Sequence, residues 1–281
     1  MAGHWKKEYF PNEPYRNTFQ FDGLPSIEEI QAFQMYSTRA REQLDSTKWD
    51  QVQDVGAKLK EILELPESLR GKPTYELRRE SLIQSFRLRL YNESIPIETQ
   101  IRLGNSLLGF SEETAKRLPS NPRTKRNLAL QYDHLSRLYS LVKESSASER
   151  EKAVVLAKKA TSLRPDVGTY WNTLGVALYR QGDYYEAIRL LLKSIEMRKG
   201  GDPNDFFFLA MAHFKLGNKE ESKQWYDKGV KWMADRATRI RGRLKEELES
   251  FQKEAAQLLE LPVGIQKTPV EDSDAAPTDI P

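Results

Sequence analysis

The sequence predicts an all-α solenoid of stacked helix hairpins, and three observations carry that prediction. A pattern repeats: Trp171, Leu174, Gly175, Gly182 and Ala187 recur as Phe206, Leu209, Ala210, Gly217 and Ser222, each pair 35 positions apart. Within each copy the apolar side chains fall three and four residues apart, the spacing of one helical face. Gly182 and Gly217 are followed at once by a capping residue with a glutamate three further on, Asp183 with Glu186 and Asn218 with Glu221, so the chain turns and restarts a helix. A period in the mid-thirties suits a two-helix unit, and such units stack because one alone cannot bury its apolar face.

Residues 1–24 place Trp5, Tyr9, Phe10, Tyr15, Phe19 and Phe21 among prolines and asparagines. They read as an irregular arm that packs its rings on the first helices, or as an arm that orders on a partner. Ser26, with Glu29 three residues on, starts a helix that runs to about Leu44. A second helix is expected from about Thr47 to Leu65, stopping before Pro66, and a third from about Thr74 to Tyr91. A fourth spans about Pro96 to Arg117, with a break or bend expected at Gly104 or Gly109. Residues 25–122 are therefore degenerate hairpins that extend the solenoid without its landmarks.

Three units fill residues 123–233, at about 127–165, 168–202 and 203–233. In the first, Tyr132, Leu135, Ser136 and Tyr139 stand where the second has Trp171, Leu174, Gly175 and Leu178, and Ala153, Ala157 and Ala160 line a second helix that stops at Pro165. Its turn is about five residues longer, a polar run from Lys143 to Ser148 in which Ser148 with Glu151 is the expected cap; surface insertions cost little. Gly175 lies on the apolar face, where a missing side chain admits a neighbouring helix despite a propensity cost of about 1 kcal/mol. Trp171 is expected to be buried between units.

Residues 234–261 carry one apolar stripe, Ile240, Leu244, Leu248, Phe251, Ala255 and Leu258, and read as a capping helix over the open end of the array. A coiled-coil dimer helix is the alternative. Residues 262–281, with four prolines and four acidic residues, read as a disordered acidic tail.

Composition narrows the function. Only 38% of the 281 residues are hydrophobic and 30% are charged, which suits a thin, elongated core. A net charge of +3 from 44 basic and 41 acidic residues argues against nucleic-acid binding, and the basic stretches Arg78, Arg79, Arg87, Arg89 and Arg236 to Arg243 read as solvated helix faces. The chain has no cysteine, which excludes disulfides and thiolate chemistry. No apolar run approaches the roughly 18 residues of a membrane span, and the first residues lack a signal peptide's apolar core. A cytoplasmic monomer with no membrane partner is the expectation.

Chemistry finds little support. His4, His134 and His213 are far apart, and His213 occupies the packing position that Leu178 holds in the preceding unit. Gly71 and Lys72 lack the upstream glycine of a phosphate loop, and no Gly-x-Gly-x-x-Gly, His-Arg-Asp, Asp-Phe-Gly or Gly-x-Ser-x-Gly string occurs. The expectation is no enzyme, no cofactor and no metal.

The landmarks aromatic, leucine, small residue, then glycine and alanine resemble the tetratricopeptide repeat. That resemblance implies a right-handed α-solenoid whose first helices line a concave groove that holds a peptide. By register, the groove would carry Asp133, Arg137, Asn172, Val176, Tyr179, Arg180, Phe207, Met211, Phe214 and Lys215. This basic and aromatic set would suit an extended or helical peptide with acidic and apolar side chains. The alternative is that Phe207, Met211 and Phe214 merely pack against the terminal helix or the next unit. The clamp by which one subtype holds chaperone tails is not reproduced, because Asp133, Arg137 and Thr173 stand in its lysine and asparagine positions. At the level of phrase, Gly168 to Arg180, Lys193 to Asp202, Asp205 to His213 and Glu254 to Leu259 resemble the C-terminal repeat region of large planctomycete signalling proteins, over about residues 125–261. This implies a bacterial source and a role in organising partners, without the kinase domain. The expected function is a non-catalytic protein-protein interaction scaffold that binds a protein or peptide partner. The alternative is a regulatory or structural subunit that packs permanently on an enzyme or self-associates through its C-terminal helix.

Overall fold

The structure, a computed structural model, describes residues 25–92, 95–142 and 144–261; the aromatic arm and the acidic tail lie outside them. The described residues form eleven α-helices and two short 3-10 turns, with no strand. In chain order the helices are α1 Ile27–Ser46, α2 Val55–Leu63, α3 Pro73–Asn92, α4 Ile97–Arg117, α5 Pro122–Leu141, α6 Ala147–Leu163, α7 Gly168–Gln181, α8 Tyr184–Met197, α9 Pro203–Lys215, α10 Lys219–Asp235 and α11 Gly242–Leu258. From α4 to α10 each helix packs on the next, the signature of an all-α hairpin solenoid.

The turns follow local chemistry. Ser26 Oγ accepts the Glu29 amide at 3.2 Å and opens α1. Gly182, at φ 100°, ends α7 in the left-handed region, and its amide and that of Asp183 both reach the Leu178 carbonyl at 3.0 Å. Asp183 then caps α8 through the Glu186 amide at 3.2 Å. Asn218 makes no such cap; its side-chain amide lies 3.4 Å from His213 Nδ1 instead. In the long turn of the first unit the capping box is Ser146 with Glu149, two residues earlier than Ser148 with Glu151, and it gives α6 an extra half-turn.

Two other elements depart from expectation. The second helix is shorter, because Trp49 folds back so that its indole N–H donates to the Leu44 carbonyl at 3.2 Å, and Asp54 then caps α2 through the Ala57 amide at 2.8 Å. α4 is unbroken at Gly104 and Gly109. Gly104 is there for contact: a Cβ on it would lie 2.9 Å from Leu135 Cδ1 of α5.

Each unit covers its leading aromatic ring with a lysine from its second helix. Lys193 Nζ lies 3.3 Å from the Trp171 ring centroid, Lys228 Nζ 4.7 Å from Phe206, and Lys159 Nζ 4.9 Å from Tyr132. The lysine follows its ring by 22 positions in the last two units and by 27 in the first, the difference being the longer turn. Trp171 is only half-buried, covered by Lys193 of its own unit and tied to the end of the preceding unit by a 2.9 Å bond from its indole N–H to the Pro165 carbonyl. Gly175 packs as expected, with a Cβ there only 2.8 Å from Leu191 Cγ of α8.

A second core, formed by α1, α2, α3 and the near side of α4, joins the solenoid through α4. Arg79 and Arg87, expected on solvated faces, are buried here. Arg79 pairs with Glu76 at 2.7 Å and donates to Thr114 Oγ1 at 3.2 Å, and burial holds the nearby Glu80 carboxyl above the usual carboxylate range.

The terminal segment is not one helix. α10 runs to Asp235, residues 236–241 turn, and α11 begins at Gly242 with φ 59°, a left-handed conformation that favours glycine. The turn sends α11 back across the first helices of the array.

Candidate functional site

The ten groove positions named from register separate into five groups. Arg137 and Arg180 project from α5 and α7, and both meet α11. Arg137 Nε donates to Glu247 Oε1 at 3.1 Å, and its Nη2 contacts both carboxylate oxygens. Arg180 Nη2 donates to Glu254 Oε2 at 2.8 Å and its Nη1 pairs with Oε1, a bidentate fork. Arg180 Nε also donates to the Ser140 carbonyl at 3.1 Å, which fixes the guanidinium between the first two units.

Tyr179 lies beneath this pair, 7% exposed, with its ring edge-on to Phe208 at 5.4 Å. Burial raises its phenol well above the ordinary value, so it stays protonated. The Arg180 guanidinium sits over the Phe208 ring at 5.1 Å, and Phe251 of α11 meets the same ring edge-on at 5.0 Å. Phe208 of α9 is therefore the aromatic floor of the site.

Asp133 is enclosed by packing and Asn172 is taken up by a structural partner. Asp133 Oδ1 is enclosed, and Arg87 of α3 approaches this carboxylate and Tyr170. Burial pushes the Asp133 carboxyl up to about 6, against the pull of Thr173, Arg137 and Arg87. His134 is held well below its ordinary value, first by burial and then by Arg87, Arg137 and Arg243. Asn172 Nδ2 donates to Asp205 Oδ1 at 2.8 Å and ties α7 to the capping box of α9. Burial, with Asp202 alongside, holds Asp205 above the usual range.

Phe207 and Met211 are core residues, both 0% exposed. Phe207 fills the space left by Gly229 of α10, where a Cβ would lie 2.6 Å from its Cε1, so neither side chain is offered to a ligand. Val176 and Phe214 are half-buried and Lys215 is exposed.

Register assigned Phe207 to the site where the structure uses Phe208, because α9 is buried on both sides from Phe206 to Ala212 and apolar periodicity cannot orient it. Glu247, Phe251 and Glu254 were also missed as site residues. Their sequence signal is two carboxylates seven positions apart beside the apolar stripe, which does not say which arginines they meet. Among the described residues no cluster of three histidine, aspartate or glutamate side chains could hold a metal ion, and no helix is long and apolar enough to cross a membrane.

Comparison with known proteins bears on the repeats. No curated protein sequence matches the chain. Among solved structures, the MamA protein aligns with a TM-score of 0.45 at 12% identity, over 75% of this chain and 97% of that one. TTC0263, a tetratricopeptide-repeat protein of Thermus thermophilus, aligns with a TM-score of 0.38 at 17% identity, over 68% and 96%. Acl4, residues 1–338, an assembly chaperone of RpL4, aligns with a TM-score of 0.40 at 14% identity, over 82% and 83%. Tetratricopeptide-repeat family models match residues 168–200 and 206–235. The second and third hairpins of this all-α solenoid are tetratricopeptide repeats.

Proposed function

We propose that the chain is a non-catalytic protein-interaction scaffold that binds a segment of a partner protein along the face of its first helices. The observation that carries this reading is the row of Arg137, Arg180 and Phe208 on three successive first helices, which already holds a helix through carboxylates and an aromatic ring. Fixed guanidinium forks flanking an aromatic floor select acidic and apolar side chains together. A bacterial source, implied by the phrase-level resemblance, and cytoplasmic residence, expected from the lack of an apolar span or signal core, belong to the same proposal. Self-association through the apolar stripe is not favoured, because Leu248, Phe251 and Ala255 are already buried within the same chain.

The test places a photo-cross-linking residue at exposed Lys215, at one end of the row, and another at Leu192 on a second helix. The scaffold reading expects a discrete protein adduct from position 215 that is lost when Arg137 and Arg180 are both replaced by alanine, and none from 192. Adducts from 192 alone, or adducts indifferent to the arginines, overturn it.

A further inference from the structure

α11 occupies the first-helix face as a ligand would. Glu247, Phe251 and Glu254 stand at i, i+4 and i+7, so they share one face of the helix. One heptad advances about 10 Å along a helix axis, and packed helices lie about 8–10 Å apart. A helix laid across the array thus meets one unit with each heptad. That is the observed match, Glu247 on Arg137 of the first unit and Glu254 on Arg180 of the second.

The fit of α11 is incomplete. A cleft of about 240 Å³ opens along it, lined by Leu141, Arg180, Arg243, Glu246, Ser250 and Phe251. Two of its five buried residues are alanines and one is the glutamate of an ion pair, whereas α9 buries three consecutive phenylalanines. Its lead-in, residues 236–241, is exposed except at Ile240. Besides its two ion pairs, α11 is held by Leu248, Phe251, Ala255 and Ala256, whose apolar contacts any amphipathic helix can supply, so the two carboxylates and the ring are the groups that a replacement helix must reproduce.

We propose that α11 is an internal occupant that closes the site, and that the partner is a helix carrying two carboxylates seven residues apart with an aromatic side chain four residues after the first. This rests on the scaffold reading and names the ligand class and the gate of that site. Binding in trans is then weakened by the fraction of molecules in which α11 is docked.

The probe is a labelled synthetic peptide of residues 242–258, added to the full chain. The expected result is binding at least about tenfold tighter to a Phe251→Ala/Glu254→Gln chain than to wild type, because the resident helix no longer competes. The gain should disappear when Arg137→Ala and Arg180→Ala are added, and also when the peptide carries glutamine at both 247 and 254. Equal affinity for wild type and the α11 variant overturns the gate. Absence of binding to that variant, with hydrogen exchange showing its 242–258 amides unprotected and α5 to α10 intact, overturns the ligand class. Concentration-dependent dimers of wild type that vanish with the arginine changes would make the occupant a second copy's α11 and overturn a foreign partner. Failure here with position-215 cross-links retained removes the gate and leaves the scaffold; loss of both removes the scaffold as well.

Discussion

Arg180 and Glu254 are 74 positions apart and form a bidentate ion pair, their side chains only 14% and 20% exposed. The pair joins the end of α7 to the C-terminal part of α11, and Arg180 also stacks over Phe208 and holds the Ser140 carbonyl. One guanidinium therefore couples two repeat units and the terminal helix.

Reversing either charge should undock α11 without unfolding the array. Glu254→Arg should lower its docking free energy by about 2 kcal/mol, the range for hydrogen bonds to charged groups. The double exchange Arg180→Glu/Glu254→Arg should recover only part of this, since glutamate at 180 cannot donate to Ser140 or stack on Phe208. Amide exchange over 248–258 is the measurement; loss of protection across α5 to α10 would contradict the assignment.

Gly175→Ala should destabilise the second unit although alanine gains about 1 kcal/mol in helix propensity. Its Cβ would meet Leu191 Cγ at 2.8 Å and the Ala187 carbonyl oxygen at 3.2 Å, so the two helices must separate. Overpacking of this kind costs about 1–3 kcal/mol. Urea unfolding should therefore give a net loss, and a gain would mean that α8 yields freely.

The Asp133 carboxyl gives a pH signature. Its folded pKa of about 6 lies above the free value, so its contribution is favourable at low pH and is lost as pH rises from about 4 to about 6, by up to about 3 kcal/mol. His134, depressed in the fold, has the opposite sign and loses stability as pH falls. The two slopes oppose each other in wild type, so the comparison must be subtractive. Asp133→Asn should gain stability relative to wild type across this window, as thermal melts at successive pH values would show. A pH-independent difference would place the carboxylate in water.

Trp171→Ala should cost about 2 kcal/mol rather than the 3–5 kcal/mol of a ring sealed in a core. The half-exposed indole loses one hydrogen bond and a lysine–ring contact, worth about 1 kcal/mol each. Lys193→Ala should account for less than half of the loss in denaturant unfolding.

The helical units were legible in the order of residues alone, because caps, turn glycines and small-residue positions act locally. Gly182 followed by Asp183 can do little else than end one helix and start the next, and a five-residue insertion shows directly as the displaced Lys159. Where the long-range charges meet was settled only by packing. Arg137 and Glu247 lie on separate helices, and their pairing depends on how α11 crosses the array, which no periodicity encodes. The same holds for α9, apolar on every side, where the choice of Phe208 over Phe207 for the site was made by Gly229 leaving room for one ring and Phe251 arriving against the other. A helix face can be read from its own residues; its occupant depends on residues a hundred positions away.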